Sequence, residues 1–210
     1  MKKTQAIARA AMVAALVGMS AGLAGCFTAA ATGIVVGGLA AIDRRTIGAQ
    51  TEDQAIELKT YEALRANNVQ GGGISVTSFN RRVLLTGQVE SESIKARAAE
   101  VARGIANVTQ VHDELAVAGR ASFGSSVTDT SITTRVKTAL LNSNEAPGNS
   151  VKVVTEKTTV YLMGILTATE AEAAARIASR TSGVARVVTV FEIISAEEAA
   201  RLDGRTQSGS

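Results

Sequence analysis

The chain has little of the chemistry that enzymes and nucleic-acid-binding proteins need. Its 210 residues include no tryptophan, two tyrosines, four phenylalanines, one histidine and one cysteine. One cysteine excludes a disulfide framework, and one histidine leaves no His/Cys/carboxylate cluster with metal-ligand spacing. Single-strand binders rely on stacking aromatics, which are scarce here. Because no glycine-rich loop follows a P-loop or dinucleotide-binding pattern either, we expect a non-enzymatic protein without a cofactor or metal.

Residues 1–25 have the parts of a secretory signal, namely a basic start at Lys2 and Lys3, an apolar stretch over 10–23 and small residues before Cys26. The tetrapeptide that ends at Cys26, Leu-Ala-Gly-Cys, resembles the lipobox of bacterial lipoprotein precursors. That resemblance implies removal of residues 1–25 and a covalent acyl lipid, such as palmitate, on Cys26. The alternative is a chance cysteine after an ordinary signal. Phe27, in place of the aspartate that retains such proteins in the inner membrane, implies the outer membrane, facing the periplasm.

An excess of positive charge is also missing once this signal is set aside. The whole sequence carries a net charge of +3 and has a pI near 9.2. Three of its 22 basic residues precede Cys26 and none of its 19 acidic residues does, so 19 of each sign remain. The charge of the precursor is therefore no indication of nucleic-acid binding.

A glycine- and alanine-rich apolar stretch over 27–42 follows the cysteine. It is shorter than the roughly 18 residues that would indicate a membrane-spanning helix. We therefore expect residues 26–50 to be a tether at or near the lipid surface. The alternative is a strand or helix packed on the folded part.

Most of the remaining chain is an internal repeat, which predicts two domains, 51–118 and 127–195, with a linker over 119–126 and a C-terminal tail over 196–210. Within the tail, the segment with Glu197, Glu198 and Arg201 is expected to add a helical turn, and the final residues, 204–210, are predicted to be disordered. At offsets of 76 or 77, the matching positions are Asp53/Asp129, Ile56/Ile132, Leu64/Leu140, Val76/Val153, Val83/Val160, Leu85/Leu162, Gly87/Gly164, Val111/Val187 and Leu115/Phe191.

Each repeat predicts the order helix, strand, strand, helix, strand. The apolar positions from Ile132 to Leu140 follow helical spacing, with Thr128 or Asp129 as the N-cap. Alternation then predicts two strands joined across 156–158. A capping-box pattern begins a second helix at Thr167. The fold class is therefore α+β, with two helices packed on a three-stranded mixed sheet in each domain.

Several single residues carry local predictions. Gly87 and Gly164 lie inside the second strand of each repeat, where glycine indicates a bulge or a close backbone approach. Asn107 and Gly183 are expected to end the second helices in the left-handed conformation. His112 alternates with Val111 on the third strand, so we expect it to be a surface histidine.

The chain resembles the dual BON-domain lipoproteins of the bacterial outer membrane. The resemblance rests on the lipobox, the glycine-rich tether and the two repeats, and it is strongest in the second repeat. The stretches that carry it there are Asp129-Thr130, Ile132-Thr133-Thr134-Arg135-Val136, Val160-Tyr161-Leu162-Met163-Gly164, Ile177-Ala178-Ser179-Arg180 and Ser182-Gly183-Val184.

The resemblance implies a non-enzymatic role in outer-membrane integrity, in which the second domain binds anionic phospholipid such as phosphatidylglycerol through its first helix. The surface carried over by position comprises Ser131, Ile132, Arg135, Val136, Lys137 and Leu140. Relatives can hold a large aromatic at the position of Ser131, and serine cannot insert into a headgroup layer in the same way. For Ile132, Val136 and Leu140 the alternative is a stripe of core residues that covers the sheet.

A second function is compatible with the same sequence. The chain would then be an adaptor or chaperone-like lipoprotein that binds envelope proteins, such as the outer-membrane protein assembly machinery. The serine at position 131 favours this alternative. The net charge favours lipid binding, since residues 127–194 hold seven basic and six acidic residues, against seven and nine in residues 51–117.

Overall fold

Both repeats fold in the predicted order, and the α+β fold class is confirmed. The predicted three-stranded sheet is present in the second repeat, whereas in the first repeat the third strand is divided into two short strands, which gives a four-stranded sheet. The computed structural model describes residues 43–69, 73–118 and 126–208. The predicted signal, Cys26, residues 27–42 of the tether and residues 119–125 of the linker lie outside these described residues.

The first repeat holds two helices and a mixed sheet. Helix α1 (Ile47–Ala66) precedes the hairpin of β1 (Ile74–Phe79) and β2 (Arg82–Val89). Helix α2 (Glu92–Arg103) then returns the chain to β3 (Gln110–Asp113) and the short β4 (Ala116–Val117). Strand β1 is antiparallel to β2, whereas β3 and β4 are parallel to it. A tight turn can only join antiparallel strands, while the helical crossover permits the parallel pair.

The second repeat has the same topology and ends in an additional helix. Helix α3 (Ser126–Leu141) and a 3-10 turn (Gly148–Ser150) precede β5 (Val151–Glu156) and β6 (Thr159–Leu166). Helix α4 (Ala168–Ser179), β7 (Arg186–Ile193) and helix α5 (Ala196–Ser208) complete the order. Strand β6 lies between antiparallel β5 and parallel β7. The predicted capping box is confirmed at Thr167 and Glu170.

Alternate residues of each central strand face different cores. In β6, Val160, Leu162 and Leu166 pack against the helices of the second repeat. In β2, Val83, Leu85 and Val89 do the same in the first repeat. The two cores therefore repeat position by position, as the period of two in the strands requires.

The opposite faces of the two sheets pack against each other. From the first repeat, Phe79 and Leu84 join a cluster with Tyr161, Met163 and Ile165 of the second, and Leu202 of α5 packs against its margin. Polar contacts surround this cluster, including Lys152 Nζ to Glu57 Oε1 at 3.2 Å and Asn80 Nδ2 to Glu192 Oε2 at 2.7 Å. The sheets are thus sandwiched between the helices of the two repeats.

A carboxylate at the same place in both repeats holds the hairpin turn. Asp129 accepts hydrogen bonds from the backbone N–H groups of Lys157 and Thr158 at 2.8 and 2.9 Å. Asp53 accepts from those of Asn80 and Arg81 in the first repeat. The four turn residues have positive φ without being glycine, a conformation that costs free energy and here gains two hydrogen bonds in each turn.

This arrangement corrects the prediction that Asp129 or Thr128 is an N-cap. Helix α3 begins at Ser126, which was predicted to belong to the linker, so Asp129 lies in its first turn and points at the hairpin. Helix α1 likewise begins at Ile47, inside the predicted tether, with Thr46 as its N-cap. Both first helices are therefore longer than the apolar spacing indicated.

Three other predictions also need correction. The segment predicted as a tail forms helix α5, which includes Gly204. Helices α2 and α4 end before Asn107 and Gly183, although both residues have the predicted positive φ, 70° and 93°. His112 is half-buried rather than on the surface, because it shares a sheet face with its neighbour Leu84, which packs against the second repeat.

The prediction of a close backbone approach at the strand glycines is confirmed. A Cβ at Gly87 would overlap the carbonyl oxygen of Gly73, and one at Gly164 would lie 2.8 Å from that of Ser150. In each repeat, the chain that enters the first strand passes directly over the glycine, where no side chain fits.

Candidate functional site

The predicted lipid-contacting residues of α3 separate into buried and exposed groups. Ile132, Val136 and Leu140 are fully buried in the core of the second repeat. They pack on the sheet and cannot contact a membrane in this fold, which corrects their assignment to the lipid surface. The structure has the alternative arrangement, in which these three residues form a core stripe that covers the sheet.

Ser131 and Arg135 lie on the exposed face of α3. The Arg135 guanidinium lies back along the helix, where Nε donates to the Ser131 carbonyl at 3.2 Å and Nη2 donates to Ser131 Oγ at 3.3 Å. Among the described residues, no carboxylate forms an ion pair with Arg135. Its charge is therefore exposed and available to an anionic group.

Gly183 supports the position of this side chain from the neighbouring loop. A Cβ at Gly183 would lie 3.2 Å from Arg135 Nη2 and 3.1 Å from Ile132 Cγ1. The absence of a side chain there allows the loop after α4 to lie close against α3. Gly183 therefore affects the site in two ways: it leaves room for Arg135 and Ile132, and its backbone adopts a positive φ.

Lys137 has a different environment from Arg135. Its half-buried ammonium donates to the carbonyls of Gly148 and Val151, both at 2.7 Å. Burial lowers the pKa of Lys137, and the nearby charge of Asp43 opposes this effect only in part. The structure therefore places Lys137 beside the start of β5 and away from the exposed face that holds Arg135.

Leu141 is an exposed residue that the sequence analysis missed. It follows the buried Leu140 at the end of α3 and is 48% exposed. The pair of adjacent leucines was the available signal, because two neighbours on a helix lie about 100° apart and cannot both face the same core. Thr134 and Thr138 complete an exposed face that is mainly hydroxylic.

A second polar site joins the start of the described chain to the second repeat. The Arg44 side chain, 3% exposed, pairs with both Glu170 and Asp203. It donates two hydrogen bonds to each carboxylate at 2.8–2.9 Å and one to the carbonyl of Ile165 at 3.0 Å. These five bonds use all five donors of the guanidinium. We call Arg44, Glu170 and Asp203 the Arg44 cluster.

The neighbouring arginine binds the first repeat. Arg45 pairs with Asp43 and Asp53, and its guanidinium carbon lies 3.9 Å from the centre of the Phe79 ring. Burial raises the pKa of Asp53, but hydrogen bonds from Arg81, Ser78, Asn80 and Arg45 outweigh that effect and lower it overall. Two consecutive arginines therefore connect one short segment to both repeats.

The described part of the chain contains no group of His, Cys, Asp and Glu side chains that could hold a metal ion. Within the same residues, no helix is both long and apolar enough to cross a membrane.

His112 has a buried Nε2 without a hydrogen-bond partner in the structure. Burial, followed by the charge of Arg82, lowers its pKa, while Glu114 opposes the shift.

A lipobox-like sequence followed by two packed α+β repeats is typical of one class, the bacterial lipoproteins that carry tandem folded domains. The BON domain family matches residues 52–119 and 128–195. The chain belongs to this family, and its resemblance to the dual BON-domain lipoproteins is confirmed. From here the two repeats are called BON1 and BON2.

Two curated relatives match most of the chain. The outer membrane lipoprotein DolP of Haemophilus influenzae is 36% identical over 184 residues, which cover 87% of this chain and 95% of that protein. The 21 kDa hemolysin of Actinobacillus pleuropneumoniae is 32% identical over 155 residues, which cover 73% and 80%. The similarity to DolP over nearly its whole length identifies this chain as an outer-membrane lipoprotein.

Among solved structures, the chain is similar to the C-terminal domain of CdsD, a structural protein of the type III secretion system of Chlamydia trachomatis. The match has a TM-score of 0.28 and 9% identity, and it covers 66% of this chain and 96% of that one. Similarity at this level supports no functional argument.

Proposed function

We propose that this chain is a non-enzymatic protein, anchored by acyl lipid on Cys26, that supports outer-membrane integrity and binds anionic phospholipid through BON2. The binding face is the exposed side of α3, with Arg135 as its cation and Ser131 beside it. Ile132, Val136 and Leu140 stabilise the helix from inside, and Lys137 contributes only to the local potential.

The exposed charge of Arg135 is the observation that carries this proposal. A cation close to an anionic membrane surface contributes about 1 kcal/mol to binding. Such a contribution is too weak to hold a protein on a membrane alone. It becomes effective when an acyl anchor keeps the domain near the surface, because the anchor raises the effective concentration of lipid.

The net charges of the two domains agree with this assignment. Residues 127–194 carry one more basic than acidic residue, whereas residues 51–117 carry two more acidic than basic residues. An anionic surface therefore repels BON1 and weakly attracts BON2. Leu141, exposed at the end of α3, supplies an apolar side chain that could enter the headgroup layer where Ser131 cannot.

Vesicle flotation tests the proposal. The protein is residues 26–210 with Cys26→Ser, so that only the folded domains can bind lipid, and a large excess of vesicles replaces the effective lipid concentration that the anchor would supply. We expect more of it to float with phosphatidylglycerol-containing vesicles than with phosphatidylcholine vesicles, and Arg135→Glu to abolish the difference. Lys59→Glu is the matched control, because Lys59 is exposed at the equivalent position of α1. Equal flotation with both vesicles would reject phospholipid recognition.

The second candidate function is an adaptor or chaperone-like role toward envelope proteins, such as the outer-membrane assembly machinery. Exposed apolar residues of α1 favour it, since Ile47 is 84% exposed and Leu58 is 60% exposed. They are eleven residues apart, which is about three turns, so they lie on the same side of the helix. Loss of binding to an assembly protein in Leu58→Glu, with unchanged flotation, would support this role.

A further inference from the structure

The two BON domains protect their first strands differently, although their folds match. In BON1, side chains of α1 cap the outer edge of β1. Tyr61 Oη accepts a hydrogen bond from the Val76 N–H at 2.9 Å, and Glu57 Oε1 accepts one from the Ser78 N–H at 2.7 Å. Lys152 also donates to the Ser78 carbonyl at 3.3 Å. This edge is closed to another strand, which is the usual way to prevent unwanted pairing.

BON2 lacks the equivalent caps on β5. The residues that match Glu57 and Tyr61 are Thr133 and Lys137. Thr133 Oγ1 donates to the Thr155 hydroxyl at 2.7 Å, not to a backbone group. Lys137 cannot accept a hydrogen bond, because an ammonium group has donors only. The helix that closes the edge in BON1 therefore leaves it uncapped in BON2.

The open groups belong to Val153 and Thr155. Backbone groups alternate between the two edges along an antiparallel strand. The Val151 carbonyl binds Lys137 and the Lys157 N–H binds Asp129, both outside the sheet, so Val153 and Thr155 also point outward. Strand β5 pairs only with β6, and within the described ranges no side chain bonds the N–H of either residue.

The charged side chains near the two ends of this edge differ in sign. Lys137 and Lys152 lie at the beginning of β5, and Asp129 and Glu156 lie at its end. Lys152 is paired with Glu57 at 3.2 Å, whereas no described carboxylate lies within hydrogen-bond range of Lys137. Its ammonium is held by two neutral carbonyls, and the nearby carboxylate of Asp43 is paired with Arg45, so the positive charge of Lys137 is not neutralised by direct contact.

We propose that the outer edge of β5 binds an extended segment of another polypeptide, antiparallel to β5, with a carboxylate at its C-terminal end beside Lys137. An antiparallel strand places its C-terminal end next to the beginning of β5, where the cations lie. A basic group nearer its N-terminus would then lie beside Asp129 and Glu156. A parallel strand would reverse both contacts. Strand addition of this kind obtains affinity from main-chain bonds and specificity from flanking side chains.

This site is separate from the phospholipid proposal, which rests on Arg135. Loss of vesicle binding in Arg135→Glu would leave strand addition intact, and Val153→Pro, which blocks the β5 edge without a change of charge, would leave vesicle binding intact. The two proposals therefore fail in different experiments.

Two disulfide-cyclised hairpin peptides provide the test, because a preformed hairpin reduces the cost of ordering a strand. The free edge of the first reads Lys-Thr-Val-Thr-Val-Glu, and that of the second reads Glu-Thr-Val-Thr-Val-Lys. Binding to ¹⁵N-labelled residues 26–210 with Cys26→Ser is followed by amide exchange. We expect the first peptide to slow exchange at Val153 and Thr155 about tenfold and to bind about fivefold more tightly than the second.

A variant closes the edge with the caps of BON1. Thr133→Glu with Lys137→Tyr is expected to remove binding of the first peptide, whereas Thr134→Glu with Arg135→Gln, which makes the same change of two charges on the exposed side of α3, retains it. If the double variant does not fold, Val153→Pro replaces it, because proline at this position of an edge strand removes an outward N–H without breaking a ladder hydrogen bond to β6.

Three outcomes would overturn the proposal. The first is unchanged exchange at Val153 and Thr155 with both peptides. The second is equal affinity for the two charge orders. The third is concentration-dependent protection of these amides without any peptide, which would show that a second copy of the chain occupies the edge.

Discussion

Replacement of Arg44 by methionine tests how strongly the start of the folded chain is tied to BON2. The variant keeps most of the side-chain volume and removes five hydrogen bonds. It also leaves Glu170 and Asp203 next to each other without a cation between them. The lost interactions span 126 and 159 residues of sequence, so their removal should affect the whole fold rather than one helix.

The expected cost follows from burial. Removing one partner of a buried ion pair typically costs about 3–5 kcal/mol. Here the two carboxylates are 22% and 36% exposed, so water can solvate part of each after the arginine is lost. We therefore expect a loss near the lower limit, about 3 kcal/mol. For a domain pair of this size, that corresponds to a decrease of about 6–12 °C in Tm.

Thermal unfolding of residues 26–210 with Cys26→Ser, followed by circular dichroism, measures this decrease. Arg201→Met is the matched control, because Arg201 is 64% exposed and pairs with Glu198 one turn earlier in α5. An exposed pair of this type contributes little to stability, because water screens both charges. If Arg44→Met lowers Tm no more than Arg201→Met does, the Arg44 cluster does not stabilise the fold and the reasoning is refuted.

The pH dependence gives an independent test of the same cluster. Burial raises the pKa of Glu170, but hydrogen bonds from Arg44 and the Thr167 backbone outweigh it and lower the pKa overall. A carboxyl group whose pKa is lowered by folding stabilises the fold at pH values above its unfolded pKa of about 4.3. This stabilisation is lost as the pH falls through the folded pKa. Wild type should therefore lose more stability than Arg44→Met below about pH 4.3, and parallel curves would contradict this.

Three further predictions concern the core, the sheet interface and the anchor. Ile132→Ala should lower the free energy of unfolding by about 2–5 kcal/mol through a core cavity, whereas Ser131→Ala on the exposed face should change it by less than about 0.5 kcal/mol; similar effects in denaturant titrations would place Ile132 outside the core. Burial and Arg82 lower the pKa of His112, so its neutral form stabilises the fold above about pH 6.5 and that contribution is lost on acidification. His112→Gln should flatten the stability profile between pH 7 and pH 5, and an unchanged slope would exclude this role. Cys26→Ser should move the protein from membranes to the soluble fraction and remove acyl mass from the intact protein, and retention on membranes would reject lipidation at this residue.

Local patterns in the sequence were sufficient to predict the order of helices and strands in each domain. Helical spacing from Ile132 to Leu140 and alternation through β5 and β6 both depend on neighbours within a few residues. They correctly predict which face of each element packs on its own core. The helix starts were less accurate, because residues 47–55 and 126–131 are mostly polar and give no apolar period to follow.

The sequence contained a signal that the two sheets pack against each other, but the alternating pattern used to predict the strands concealed it. From Val160 to Leu166 the residues of β6 are apolar on both faces, apart from Gly164 and the Tyr161 hydroxyl. Such a run is typical of a strand covered on both sides. Which surface covers it depends on contacts between distant residues, such as Leu84 with Met163, and no local pattern encodes them.

The lipid face was only partly predictable for a related reason. Position along α3 identified Arg135 and Ser131, but Lys137 differs from them through a hydrogen bond to Gly148 that closes across eleven residues. The Arg44 cluster had no sequence signal, since its members come from the tether, from α4 and from the segment predicted as a tail. One isolated arginine cannot reveal two carboxylates more than a hundred residues away.

The position of Arg44 determines how a mechanical load would enter the molecule. Residues 43–45 lie between Cys26 and α1 in the sequence, so, with Cys26 anchored as proposed, a pull at residue 43 reaches Arg44 before it reaches α1. Through Arg44, the load passes to Glu170 and Asp203, which belong to BON2 and α5. Arg45 passes load to BON1 through Asp53, so in the anchored form proposed above both domains would share a pull on the chain, although BON1 alone follows it directly in sequence.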